Sequence, residues 1–144
     1  MPGLTRGPWS VRRLTIPGEP LGKARPRVTR HGTYTPKATR EAEARVRAAW
    51  DAEHGHLGEP DASARFGLQV TFWRKARHRR DVDNLAKLVM DALNGAPGAW
   101  ADDYQVEHLV ARVRWVEDKA DTHTTVAVWP LGEVPMVQAL TTPE

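Results

Sequence analysis

Asp81, Asp83, Lys87, Asp102 and Asp103 put four carboxylates and one ammonium into a single short stretch of the chain. Hydrolysing a phosphate ester requires charge to be neutralised on the phosphoryl oxygens and a water to be made nucleophilic. Mg²⁺ does both, using one or two protein carboxylates alongside waters and the substrate phosphate; Mn²⁺ is the substitute to expect. Asp81 and Asp83, one residue apart, can offer oxygens from the end of a strand or turn, and Asp102 or Asp103 can complete the set. Lys87 lies one helical turn beyond Asp83, where an ammonium can meet a phosphate or steady a leaving oxygen as charge develops. The basic run Arg74, Lys75, Arg77, Arg79, Arg80 stands directly before the carboxylates and suits a DNA or RNA backbone. Lys23, Arg25 and Arg27 make a second basic segment.

The elements that must position these groups follow from periodicity. Leu85, Leu88, Val89, Ala92 and Leu93 recur at helical spacing and form one apolar stripe. Asp83, Lys87 and Asp91 follow each other at i+4 on the opposite face. Asn94-Gly95 stops this helix, and Pro97-Gly98 prevents it from resuming. Asp81 and Asp83 therefore stand where the chain enters a helix, and Asp102 and Asp103 where it leaves the following loop. A helix-loop return is expected to bring the two pairs together.

Upstream, Val11–Ile16 reads as a strand stopped by Pro17-Gly18. Residues 22–32 read as a basic, proline-stiffened loop. Lys37 to His54 reads as a thinly amphipathic helix whose buried side carries Ala42, Val46, Ala49 and Trp50. Phe66, Leu68, Val70 and Phe72 alternate as in a strand. Gln105 to Val116, with Leu109, Ala111, Val113 and Trp115 on one face, and His123 to Trp129 are two more strands. The expected fold is α+β: one domain over residues 11–130, a mixed sheet with two main helices in the order β-α-β-α-β-β. Residues 1–10 read as an N-terminal extension and 131–144 as an irregular tail.

A chain of 144 residues with 40% hydrophobic and 27% charged residues is one soluble domain by size and composition. It has no cysteine, which excludes a disulfide framework and a thiolate metal site and is compatible with a reducing cytoplasm. Arg6, Arg12 and Arg13 interrupt any apolar leader, and no apolar run has the length of a membrane span. Charge is uneven: residues 1–80 hold 17 Lys+Arg against 7 Asp+Glu, residues 81–144 hold 4 against 11, and +10 with −7 returns the net +3. A basic half beside an acidic half points to a polyanion partner and a metal-binding patch.

Each site residue also has a structural reading. Asp83 can be a helix cap, Asp81 a dipole partner, Lys87 an i+4 partner of Asp83 or Asp91, and Asp102-Asp103 turn chemistry. Their conjunction behind a basic run favours the functional reading. Other motifs fail. Asp81-Val82-Asp83 opens like a calcium loop, but Ala86 and Ala92 stand where glycine and glutamate are required. There is no glycine-rich phosphate loop, and His54 with His56 is a weak metal pair. The six tryptophans suit core or interface, with Trp100, beside Asp102, the one retained as a DNA contact.

Arg80-Asp81-Val82-Asp83-Asn84-Leu85-Ala86-Lys87, Asp91-Ala92-Leu93-Asn94-Gly95 and Asp102-Asp103-Tyr104-Gln105-Val106 together resemble the signature of RusA-type Holliday junction resolvases. Gly22-Lys23-Ala24-Arg25-Pro26-Arg27 and Tyr34-Thr35-Pro36 resemble the N-terminal segment of that family's phage and prophage branch. The resemblance spans roughly residues 11–130. It implies a homodimeric, Mg²⁺-dependent endonuclease acting on four-way and branched DNA in recombination and repair, in the cytoplasm of a bacterium or phage-infected host. By motif position it assigns Asp81, Asp83 and Asp103 as acidic catalytic residues and Lys87 as the basic one, leaving Asp102 and Asp103 unseparated. A C2 dimer suits a substrate that must be cut at two related strands. The competing readings are a non-catalytic, structure-selective DNA-binding protein and a metal-dependent nucleotide hydrolase. A pure binder gains nothing from carboxylates facing phosphate, and the basic run exceeds what one nucleotide requires.

Overall fold

Phe66 to Arg74 forms one of the two inner strands of the main sheet, and its alternation decides where the core lies. In the computed structural model, which describes residues 11–24, 27–75 and 81–132, the elements in chain order are β1 (Arg12–Pro17), β2 (Arg27–Thr29), β3 (Gly32–Tyr34), α1 (Lys37–His54), β4 (Phe66–Arg74), α2 (Val82–Ala92), β5 (Val106–Trp115) and β6 (His123–Pro130). The main sheet has the order β1-β6-β4-β5. β6 runs antiparallel to both β1 and β4, and β4 pairs with β5 in parallel. A parallel pair needs a crossover, and α2 is that crossover. The α+β class, the mixed sheet and the two main helices are as expected. The extension and residues 133–144 of the tail lie outside the described residues.

Phe66, Leu68, Val70 and Phe72 point from β4 into the main core with Leu14, Ile16, Val126 and Val128 from its neighbours. The helices supply Ala42, Val46 and Trp50 from α1 and Leu85, Leu88, Val89 and Ala92 from α2. Fully burying one such large aliphatic side chain contributes about 1.5–3 kcal/mol; this stripe, rather than helix propensity, holds α2 to the sheet. The other face of β4 is also covered. Gly67 lies under the fully buried indole of Trp129, and a Cβ there would stand 2.3 Å from the ring.

Four sequence expectations need adjustment. The basic loop contains a small hairpin, β2–β3. Its strands are only three residues long, too short to show an alternation; Gly32 supplies the left-handed turn with φ +120°, and Thr29 Oγ1 accepts from the His31 amide. Gln105 belongs not to β5 but to a 3-10 turn, Asp103–Gln105, before it. Leu109 and Trp115 share the helix-side face of β5 as read, but both remain nearly half exposed because β5 is an edge strand. Trp100, retained as a DNA contact, has no exposure and donates its indole N–H to the Met90 carbonyl at 3.2 Å; it anchors the loop after α2 in the core. Among the described residues no helix is long and apolar enough to cross a membrane.

Candidate active site

Asp81 is the N-cap residue of α2: it is extended, and its carbonyl accepts from the amides of Asn84 and Leu85. Its carboxylate makes no capping bond and is exposed, so it remains available to a ligand. Asp83 lies in the first turn, also exposed, with Oδ1 accepting from the Asn84 amide at 3.0 Å. Both carboxylates stand at the N-terminal end of α2. The backbone of Lys23 donates to the Asn84 carbonyl at 3.1 Å, so Lys23 is held against this same turn.

The loop after α2 folds back tightly. The guanidinium of Arg47, reaching from α1, donates to the carbonyls of Ala92, Asn94 and Ala96 at 2.8–3.1 Å, which caps the negative end of α2 with a cation. Gly95 turns with φ +72°, and its amide donates to Trp100 O at 2.7 Å. Gly98 is required by space: a Cβ would stand 2.1 Å from Leu93 O. With Trp100 pinned in the core, the chain leaves the loop at Asp102 beside the middle of α2.

Gln105 secures the acidic turn, and sequence reasoning did not single it out. Its Oε1 accepts from the amides of Ala101 and Asp102 at 2.9 and 3.1 Å, and its Nε2 donates to the carbonyls of Asp61 and Ala64 at 2.9 and 2.8 Å. The side chain is buried, and all four bonds are at least partly shielded from water. The Asp102-Asp103 turn is thereby tied to the connection between α1 and β4. Only one hint was legible beforehand, a glutamine closely following a pair of aspartates at a strand entry.

Lys87 joins the two halves. Its ammonium lies 3.2 Å from Asp91 Oδ1 and 3.3 Å from Asp103 Oδ2. Hydrogen bonds to Asp91 and then Asp103 raise its pKa above the ordinary lysine value, so it is a cation at neutral pH. The carboxylate meeting Lys87 is that of Asp103, while Asp102 is exposed as the N-cap of the 3-10 turn. Asp91 is shared: its Oδ2 lies 3.1 Å from Lys23 Nζ, which in turn lies 2.6 Å from Glu43 Oε2 on α1. For Lys23, burial is the largest single influence and pulls the pKa down, but Glu43 and Asp91 together outweigh it and the net shift is upward. The i+4 approach of Lys87 to Asp91 was legible in the sequence; the links to Asp103 and Lys23 were not.

The expected backbone-contacting residues separate. Lys75 is exposed, and its amide donates to Glu19 Oε1 at 3.1 Å. Arg74 departs from the expectation: its side chain is 2% exposed, 3.5 Å from Glu19 and stacked over Trp115 at 5.2 Å. It faces inward from the last residue of a central strand, so its guanidinium joins β4 to neighbouring elements rather than facing solvent. Lys23 is largely enclosed by its two carboxylate partners. Arg27 lies in β2; Arg25, Arg77, Arg79 and Arg80 lie outside the described residues.

Among the described residues no three carboxylates or imidazoles converge into a ready metal cage. The acidic set offers oxygen donors only, which suits a hard cation such as Mg²⁺ that completes its shell with waters and phosphate oxygens. A family model described as endodeoxyribonuclease RusA matches residues 17–128. No curated protein matches the chain significantly.

Proposed function

The chain belongs to the RusA endodeoxyribonuclease family, and from that premise we propose that it hydrolyses phosphodiesters in four-way and other branched DNA, working as a homodimer with Mg²⁺. The observation that carries this reading is the Lys87–Asp103 contact of 3.3 Å. It ties the Asp81–Asp83 helix entry to the acidic turn beyond the loop, and so gathers two parts of the family motif that are separate in sequence.

In this reading Asp81, Asp83 and Asp103 would hold the cation, with Asp102 beside them. When bound, Mg²⁺ would neutralise phosphoryl charge and lower the pKa of a water. Lys87 contributes a fixed positive charge where negative charge develops, in a site that needs no reorganisation to supply it. Lys75 and the arginines at positions 77, 79 and 80 would hold the backbone on the approach to the carboxylates. Two such sites in a C2 dimer match a substrate cut on two related strands.

The test is incubation of the wild type, Asp83→Asn and Asp103→Asn with four-way, forked and linear duplex DNA, with and without Mg²⁺. Wild type should cut branched DNA only with the metal. Each variant should lose nearly all cleavage while binding the junction as well or better, because one negative charge facing phosphate is gone. A wild type that cuts none of these substrates, or a folded variant cutting at the wild-type rate, refutes the reading or the residue's place in it.

A further inference from the structure

Five charged groups from four separate segments form one alternating chain: Glu43 on α1, Lys23 in the segment before β2, Asp91 and Lys87 on α2, and Asp103 in the turn before β5. Asp91 stands at its centre, with one oxygen given to each lysine. Lys23, Asp91, Glu43 and Asp103 are each at least three-quarters enclosed, whereas the Lys87 side chain is 54% exposed. The enclosed part of the chain thus ends on one accessible ammonium.

A long, flexible lysine stem pays rotamer entropy to hold one position. Two carboxylates reduce the positions open to its ammonium, provided that each is itself held. Lys23 binds the other oxygen of Asp91 and so fixes that carboxylate; without Lys23 the acceptor of Lys87 would be free to move, and Lys87 with it. The Lys23 segment is itself fixed by its amide bond to Asn84 O. Gly22 lies beside it against Asn84, where a Cβ would make ordinary contact at 3.6 Å from Asn84 Nδ2.

We propose that Lys23 and Asp91 are positioning residues that hold the Lys87 ammonium at Asp103, so that Lys23 serves the reacting centre rather than the DNA backbone. The catalytic consequence rests on the nuclease reading above; the positioning itself does not.

The test uses the full chain labelled with ¹⁵N-lysine. Mobility of the Lys87 ammonium is read by ¹⁵N relaxation, beside single-turnover cleavage of a four-way junction and junction affinity. The variants are Asp91→Asn, Lys23→Met and each combined with Lys87→Ala. Lys87 should gain mobility in both single variants, and cleavage should fall about tenfold from misplacement of the cation, with affinity within about twofold. In the Lys87→Ala background neither change should lower the rate further, because both act through Lys87. Lys23→Arg should restore part of the rate by returning the charge.

Unchanged Lys87 mobility in both single variants overturns the proposal. So does a rate loss that persists in full in the Lys87→Ala background, or a Lys23→Met defect that appears as weakened affinity rather than slower cleavage. Should Asp91→Asn fail to fold, Lys23→Met carries the same comparison. A wild type that cuts no junction, with Lys87 mobility still rising in the variants, refutes the nuclease reading and supports the positioning.

Discussion

Replacing Gln105 by alanine should unfasten the acidic turn without altering any charge. Four hydrogen bonds go at once: two accepted by Oε1 from Ala101 and Asp102, two donated by Nε2 to Asp61 and Ala64. Their net worth is about 1 kcal/mol each, and buried groups left unmatched cost more. Water entering the vacated space recovers part of this, leaving a loss of about 3 kcal/mol. For a chain of this size that lowers Tm by roughly 10 °C. The turn carrying Asp103 would also loosen from the α1–β4 connection, so junction cleavage should slow at temperatures where the variant remains folded.

Gln105→Glu sharpens the argument. Its carboxylate can still accept from the two amides but would face the carbonyls of Asp61 and Ala64, which the native amide satisfies. That environment disfavours the charged form and raises the carboxyl pKa in the folded state. A raised carboxyl pKa means that the folded state binds the extra proton, so the variant should regain stability as pH falls through that value. Urea denaturation of both variants across pH, beside cleavage at a fixed temperature, is the assay. Stability of Gln105→Ala within about 0.5 kcal/mol of wild type would match an ordinary surface substitution and refute the claim that this amide ties the turn.

Gly67→Ala should cost about 1–3 kcal/mol, the usual penalty of overpacking, because its Cβ would stand 2.3 Å from the buried Trp129 ring; wild-type stability by denaturant titration would show that the indole gives way freely. Arg79 and Arg80 changed together to alanine should weaken binding to DNA of every shape and flatten the slope of log affinity against log salt by roughly 2, the release expected for two phosphate contacts; an unchanged slope removes both from the backbone interface. The raised pKa of Lys23 means that its proton is held more tightly in the folded state. The associated stability is complete below the ordinary lysine value of 10.5 and is lost as pH rises through the folded value; Lys23→Met should therefore show a shallower alkaline decline than wild type in denaturant titrations above about pH 10.5.

The helix over 82–92 and its terminators were legible in the sequence because they rest on local periodicity and turn chemistry. Leu85, Leu88, Val89, Ala92 and Leu93 mark a buried stripe whatever covers it, and Asn94-Gly95 ends a helix by its own backbone preferences. The alternation in β4 was legible for the same reason, as was the acidic motif, since several spaced elements had to agree in order. Short-range signals failed where strands were too short to show a period, as in β2–β3; the shared face of Leu109 and Trp115 was legible, while their exposure followed from the edge position of β5.

Residue type also misled wherever burial decided the role. Arg74 belongs by composition to the basic run, yet as the last residue of a central strand it turns inward to Glu19 and Trp115. Trp100 stands beside Asp102 in sequence, yet its indole fills the core and its N–H is met by Met90 O. Lys23 reads as a phosphate contact until Glu43 and Asp91 are seen to enclose it. The sequence determined which groups this protein has for chemistry and which local elements carry them. Only the tertiary structure decided that Asp103 rather than Asp102 meets Lys87, that Gln105 fastens their turn, and that Lys23 faces Asp91. Those pairings join residues 16 to 68 positions apart, and nothing local in a chain specifies a distance of that kind; it is set by how α1, α2 and the sheet pack together.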